Sequence, residues 1–112
     1  MRQHRYYDRD GVPISMEQWV FAMGKDRHVG FTNLGRNGHV STVWLGLNHA
    51  FGEGPPLIFE TMIFGGPLDE YQERYSTEEE ARVGHEFAVL AVTLLTGVKQ
   101  KPLIHNGRKP RR

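Results

Sequence analysis

Cysteine is absent from the 112 residues of this chain, which excludes disulfide frameworks, thiol catalysis and cysteine-based zinc or iron–sulfur sites. No apolar run approaches the ~18 residues that a membrane-spanning helix needs. The basic N-terminus is not followed by an apolar segment, so we expect no signal peptide. Charged residues make up 24% and hydrophobic residues 38%, as in an ordinary folded domain. These features fit a reducing, intracellular setting and predict no membrane-embedded part.

Sequence motifs for nucleotide binding and hydrolysis are also missing. The Gly24-Lys25 pair lacks the upstream glycine of a phosphate-binding loop, and no nucleophile-elbow pattern occurs. His85-Glu86 begins like the motif of zinc proteases, but Val89 stands where the second histidine ligand would be. We therefore expect no cofactor and no bound metal.

Charge is distributed unevenly along the chain. The formal net charge is +1, but residues 1–98 hold eight basic and all thirteen acidic residues, a balance of −5. Residues 99–112 hold six basic residues and no acidic one, a balance of +6. We predict a mildly acidic domain over residues 1–98 and a flexible basic tail over residues 99–112.

Turn residues and hydrophobic periodicity divide the domain into short elements. The predicted elements are a hairpin at 5–14, a helix at 16–24, strands at 28–34, 39–48, 57–64 and 71–75, and a helix at 77–95. Strands joined by short turns pair with their neighbours, so we predict an α+β fold in which a mainly antiparallel sheet of three to five strands packs against the long C-terminal helix.

The long helix is predicted to bury one face against the sheet. Apolar and small residues recur there at three- and four-residue steps, as in an amphipathic helix. This face comprises Ala81, Gly84, Ala88, Ala91, Val92 and Leu95, widened by Phe87, Leu90 and Leu94. We expect the last turns of this helix to pack on Trp44, Leu45 or Leu47, and Phe59.

Three side chains are candidates for catalysis or metal binding. Glu60 stands inside the apolar run Ile58–Phe64, where a carboxylate either reaches solvent or requires a partner. His49 follows the long central strand, and His85 shares the predicted core stripe of the last helix. No spacing forces the three together, so we expect Glu60 to be a structural, solvent-facing or paired carboxylate and His85 to be a hydrogen-bonded histidine at the rim of the core.

Two features indicate binding to other macromolecules. The tail carries cations that can each contact a phosphate of a polyanion; they are Lys99, Lys101, Arg108, Lys109, Arg111 and Arg112. Aromatic residues are numerous, and those not needed in the core could anchor a protein partner. They are Trp19, Phe21, Trp44, Phe51, Phe59, Phe64, Tyr71 and Tyr75.

Three segments resemble a family of small proteins encoded by actinobacteria and their bacteriophages. The segments are RYYDRDGVPIS at the start, STVWLGLNHAFGEGPPLIFETMIFGGPLDE over residues 41–70, and RYSTEEEARVGHE over residues 74–86. The likeness covers about residues 6–92, and the basic tail lies outside it. The resemblance implies a phage-type accessory protein in a bacterial cytoplasm, and it assigns no catalytic or ligand-binding residue.

The first hypothesis from the sequence is a non-enzymatic protein that binds another macromolecule, namely a host or phage protein. A second hypothesis is binding of nucleic acid or another polyanion through the basic tail. A third is a small hydrolase or metal enzyme that uses His49, Glu60 and His85. The three differ in where the functional residues must lie in the fold.

Overall fold

The chain folds as an α+β unit in which a four-stranded antiparallel sheet carries a long helix on one face. The computed structural model describes residues 4–50 and 52–97. Its elements are α1 (Met16–Met23), β1 (His28–Asn33), a single 3₁₀ turn (Gly35–Asn37), β2 (His39–Trp44), β3 (Phe59–Phe64), β4 (Gln72–Tyr75) and α2 (Glu78–Thr96). The strands lie in the order β1-β2-β3-β4, which confirms the predicted fold class. Within the described ranges, neither helix is long and apolar enough to cross a membrane.

Both helices begin at the capping residues that the sequence predicts. The Ser15 hydroxyl accepts a hydrogen bond from the Gln18 backbone N–H, and the Gln18 side chain accepts one from the Ser15 N–H. Thr77 and Glu80 repeat this reciprocal arrangement at the start of α2. Each pair satisfies amide groups that a helix start leaves without partners. At the other end of α2, Gly97 adopts the left-handed conformation that ends helices.

The strands and α2 enclose two apolar clusters on the same side of the sheet. One lies under the first turns of α2 and is built around Trp44, Phe59 and Ala81. The other lies under the later turns; its buried members are Leu34, Val40, Ile63, Ala88, Val89 and Val92. The prediction that the last turns of α2 pack on Trp44 and Phe59 is therefore wrong, because those two rings lie near the helix N-terminus.

The second strand is shorter than the predicted range 39–48. It ends at Trp44, and Gly46 has a φ of +69°, a left-handed conformation that breaks the extended chain. A Cβ at position 46 would also collide with the rings of Trp44 and Trp19. The regular strand ends here, although the Leu45 N–H still donates to the Ile58 carbonyl and Leu47 forms an isolated bridge with Tyr6. The predicted N-terminal hairpin is present as a short one: Tyr7 and Pro13 form an antiparallel bridge, the Ile14 N–H donates to the Tyr6 carbonyl, and the Asp8 N–H donates to the Val12 carbonyl.

The buried face of α2 is narrower than the predicted one. Its buried residues are Ala81, His85, Ala88, Val89 and Val92. Phe87, Leu90, Leu94 and Leu95 are exposed, so their assignment to the core was wrong. Small residues at positions 81 and 88 let the helix approach the sheet closely, and the bulky residues point the other way.

An ion pair connects the N-terminal segment to α2. The Arg9 guanidinium donates two hydrogen bonds to the Glu78 carboxylate, each 2.9 Å long, and Arg82 donates a third of 2.7 Å. The bonds from Arg9, followed by its positive charge and that of Arg82, hold the pKa of Glu78 below its ordinary value against the opposing effect of burial. This two-pronged contact fixes the chain before α1 against the first turn of α2.

The packing of α2 is tested by placing a charge at its centre. Val92 is fully buried between helix and sheet, so Val92→Asp should lower the free energy of unfolding by several kcal/mol because the carboxylate has no partner there. Leu95→Asp is the matched control, since Leu95 is on the same helix and exposed. Urea denaturation should separate the two variants; equal stability would show that the assigned helix face is wrong.

Candidate functional site

His85 is a buried histidine between α2 and the sheet. Its Nδ1 lies 2.7 Å from the Thr42 Oγ1 and its Nε2 lies 3.0 Å from the Thr32 Oγ1. Thr42 also hydrogen-bonds the Thr61 hydroxyl at 2.6 Å. A neutral imidazole has one donor and one acceptor nitrogen, and threonine hydroxyls can match either. Burial lowers the pKa of His85 to about 4. Both ring nitrogens are hydrogen-bonded to threonine hydroxyls, so His85 has a structural role.

Glu60 lies on the opposite face of the sheet from His85. It alternates along β3 with Phe59 and Thr61, which face α2, and it pairs in register with Arg74 on β4. The Gln72 amide donates a 2.6 Å hydrogen bond to its carboxylate, and the Arg74 Nε lies 3.3 Å from the same oxygen. The side chain is almost fully buried. Glu60 is therefore a paired, structural carboxylate, which is one of the two roles expected for it from the sequence.

His49 lies in the loop after β2, half-buried and near Glu60. Its backbone N–H donates to the Leu57 carbonyl, which closes the base of the loop. Burial, followed by the positive charge of Arg74, lowers the pKa of His49, and the Glu60 carboxylate opposes this shift. The fold therefore brings His49 and Glu60 into electrostatic contact but separates both from His85 by the thickness of the sheet.

The described residues contain no group of three or more histidine, aspartate or glutamate side chains that could hold a metal ion. The basic residues predicted to contact polyanions, 99–112, lie outside the described residues, as does Phe51. None of the catalytic candidates thus combines with the others into a three-residue site, and the surfaces of the described domain provide the remaining evidence on function.

The sheet face opposite α2 carries its own aromatic group. The His39 ring stacks between Phe31 and Phe64, with centroids 5.1 Å from each. All three rings are half-buried, and Ser41 and Val43 on the same face are fully buried. None of these five side chains is exposed.

The outer face of α2 carries an apolar surface, most of which the sequence prediction assigned to the core. Val83, Phe87, Leu90 and Leu94 are 61%, 68%, 51% and 75% exposed, and they recur at steps of four, three and four residues. We call these four residues the outer stripe. Steps of this kind place side chains in one line along a helix, as at the seam of a coiled coil. Exposed Arg82 and Glu86 border the line.

The sequence signal for this surface is that α2 carries two separate apolar series, offset by two positions. The inward residues Ala81, His85, Ala88 and Val92 follow one three- and four-residue series, and the outer stripe follows a second series two positions later. The sequence prediction combines both series into one apolar stripe. That stripe is wider than the arc of a helix that a single sheet face can cover. Of the aromatic residues predicted as surface anchors, Phe21 and Tyr71 are also exposed, whereas Trp44 and Phe59 are core residues.

Comparison with known proteins gave no match: no family model, no curated protein and no solved structure is significantly similar to this chain. The resemblance to actinobacterial and phage proteins stays a prediction.

The buried state of His85 predicts that acid destabilises the fold. An unfolded histidine titrates near pH 6.5 and His85 in the folded chain at about 4, so between these values the unfolded state binds the extra proton. Stability should be constant for this group above about pH 7, and fall by roughly 3 kcal/mol as the pH decreases to 4. Urea denaturation at a series of pH values measures the slope.

Replacing His85 by Asn removes the titrating group and should flatten the slope even where overall stability is reduced. Equal unfolding free energies of the wild type at pH 7 and pH 4.5 would contradict the assignment.

Proposed function

We propose that this chain is a non-enzymatic binding protein that contacts another protein through the outer stripe of α2. The observation that carries the proposal is the line of four large, exposed apolar side chains on a helix whose opposite face is already packed on the sheet. Helices of ordinary domains bury one apolar face and present polar residues on the other. A second apolar face is typical of a helix with a second partner.

The size of the surface supports a protein partner. At half to three-quarters exposure, the outer stripe and the neighbouring Leu95 offer roughly 500 Å² of apolar surface, a value near the upper end for the largest patch on a monomeric protein. Charged Arg82 and Glu86 beside the stripe give it an apolar centre with a polar border, as in protein interfaces.

The geometry favours binding over the hydrolase or metal-enzyme hypothesis. His85 uses both ring nitrogens in hydrogen bonds to threonines, and it faces away from Glu60. A general base or ligand set built on all three candidates would require them on one surface. His49 and Glu60 do share a surface, but the Glu60 carboxylate already binds Gln72 and Arg74.

The resemblance stated from the sequence gives this proposal a setting. If the chain is a phage-type accessory protein of actinobacteria, its partner is a host or phage protein and its location is the bacterial cytoplasm. Such proteins often bind host or phage macromolecules, and an exposed contact face would serve that role.

Substitution in the outer stripe tests the proposed function. Phe87→Gln removes the largest apolar side chain of the stripe, and Phe21→Gln on α1 is a matched control because the two rings are 68% and 69% exposed. Each protein is immobilised and incubated with an actinobacterial lysate, with brief chemical cross-linking, and the captured proteins, including further copies of the chain, are quantified by mass spectrometry. We expect Phe87→Gln to reduce a captured species by about tenfold or more.

Both variants should retain the wild-type melting temperature, because each replaced ring lies largely in solvent. If wild-type, Phe21→Gln and Phe87→Gln proteins capture the same species equally, the outer stripe is not a binding surface.

A second candidate function is polyanion binding by the basic tail, favoured by the six positive charges over residues 99–112. Such binding would be electrostatic, with affinity that falls steeply as salt rises and with little base specificity, because the cations are not accompanied by aromatic residues.

Truncation after Gly97 tests this candidate. Fluorescence anisotropy with two unrelated DNA duplexes at low and moderate salt should show weak binding by the full chain and none by the truncated one, at nearly unchanged melting temperature. Equal binding by both proteins would contradict a role for the tail.

A further inference from the structure

We propose that the partner of the outer stripe is a second copy of this chain, with the two α2 helices packed antiparallel about a two-fold axis. This inference rests on the proposed function and names the occupant of the same surface. Antiparallel packing of identical helices is self-complementary, so a single apolar stripe serves both chains.

The spacing within the stripe fits this arrangement. A two-fold axis midway along the stripe places Val83 opposite Leu94 of the second copy and Phe87 opposite Leu90 of the second copy. In heptad terms, Val83 and Leu90 occupy d positions and Phe87 and Leu94 occupy a positions. Each layer therefore pairs an a residue with a d residue, as in antiparallel coiled coils. The bulkiest ring, Phe87, meets a leucine near the centre of the contact, where water is excluded most completely.

The charges in the first turn of α2 favour the antiparallel direction. Glu79 and Glu80 are exposed there, whereas Glu78 is paired with Arg9 and Arg82. Antiparallel packing separates the first turns of the two chains by the length of the helix. Parallel packing would place Glu79 and Glu80 beside the same residues of the second copy, which is repulsive.

The area is adequate for a dimer. Two outer stripes of four residues each offer roughly 900 Å² of apolar surface, and the flanking charged residues raise the total to about 1,000 Å² or more, which a specific interface needs. The chain's own tail is a weaker candidate for the same surface, because its large apolar residues are only Leu103 and Ile104 among six cations.

Sedimentation equilibrium over a wide concentration series tests self-association. The weight-average mass of the wild type should rise from 12.9 kDa toward twice that value. Phe87→Gln should raise the dimer dissociation constant about tenfold or more, and Phe21→Gln should leave it unchanged. The chain has no cysteine, so single cysteines can then report the direction of packing.

Val83→Cys and Leu94→Cys proteins are prepared separately and oxidised alone or mixed. Antiparallel packing predicts a mixed disulfide between the two variants and little self-linkage of either, since positions 83 of the two chains would lie about 16 Å apart along the axis. Self-linked Val83→Cys without the mixed product would overturn the antiparallel arrangement.

The remaining outcomes separate this inference from the proposed function. A wild type that stays at 12.9 kDa at every concentration overturns the dimer. If Phe87→Gln still loses a captured foreign protein, the outer stripe remains a binding surface for that protein. If the monomer gains self-association on truncation after Gly97, the tail is the occupant and the dimer of the full chain is overturned.

Discussion

The packing of α2 across the sheet is the contact on which the rest of the fold depends. It covers two apolar clusters that the strands share, and it does so with Ala81, Ala88 and Val92, which are small enough for close approach. Because these residues occupy one side of the helix, the large side chains of α2 are directed away from the sheet. The same packing that stabilises the domain therefore creates its exposed apolar surface.

A buried polar group sits at the centre of this contact. His85 and three threonine hydroxyls satisfy one another between helix and sheet, so the interface has a fixed register as well as an apolar core. The His85 ring also lies directly against Gly30, where a Cβ would stand 3.2 Å from the ring carbons. A hydrogen-bonded histidine specifies one position of α2 on the strands, whereas apolar residues alone would tolerate small shifts. This fixed position determines which residues of the helix face solvent.

Local signals were sufficient to predict the element order, the fold class and both helix starts. Ser15 with Gln18, and Thr77 with Glu80, are short-range patterns that do not depend on the rest of the fold. The end of β2 was not predictable in this way, since it depends on Gly46 lying against the ring of Trp19 from α1 as well as that of Trp44. The sequence prediction placed both apolar faces of α2 in the core for a related reason: which face is covered depends on elements that are distant in the sequence.

Apolar residues on a helix indicate burial, but the sequence does not say how many partners the helix has. One sheet face accommodates Val92 and leaves Leu94 in solvent. The candidate site shows the same limit. Glu60 could be assigned a paired, structural role from its apolar neighbours, whereas its separation from His85 follows from strand alternation combined with the side on which α2 packs.

The proposed occupant of the outer stripe of α2 is a second copy of the chain. Oxidative footprinting of side chains measures this directly, because Phe87 and Phe21 are equally exposed within one chain. Oxidation of Phe87 should decrease as protein concentration rises, because the second copy covers its ring, while oxidation of Phe21 should stay constant. Equal oxidation of both rings at every concentration would contradict the dimer.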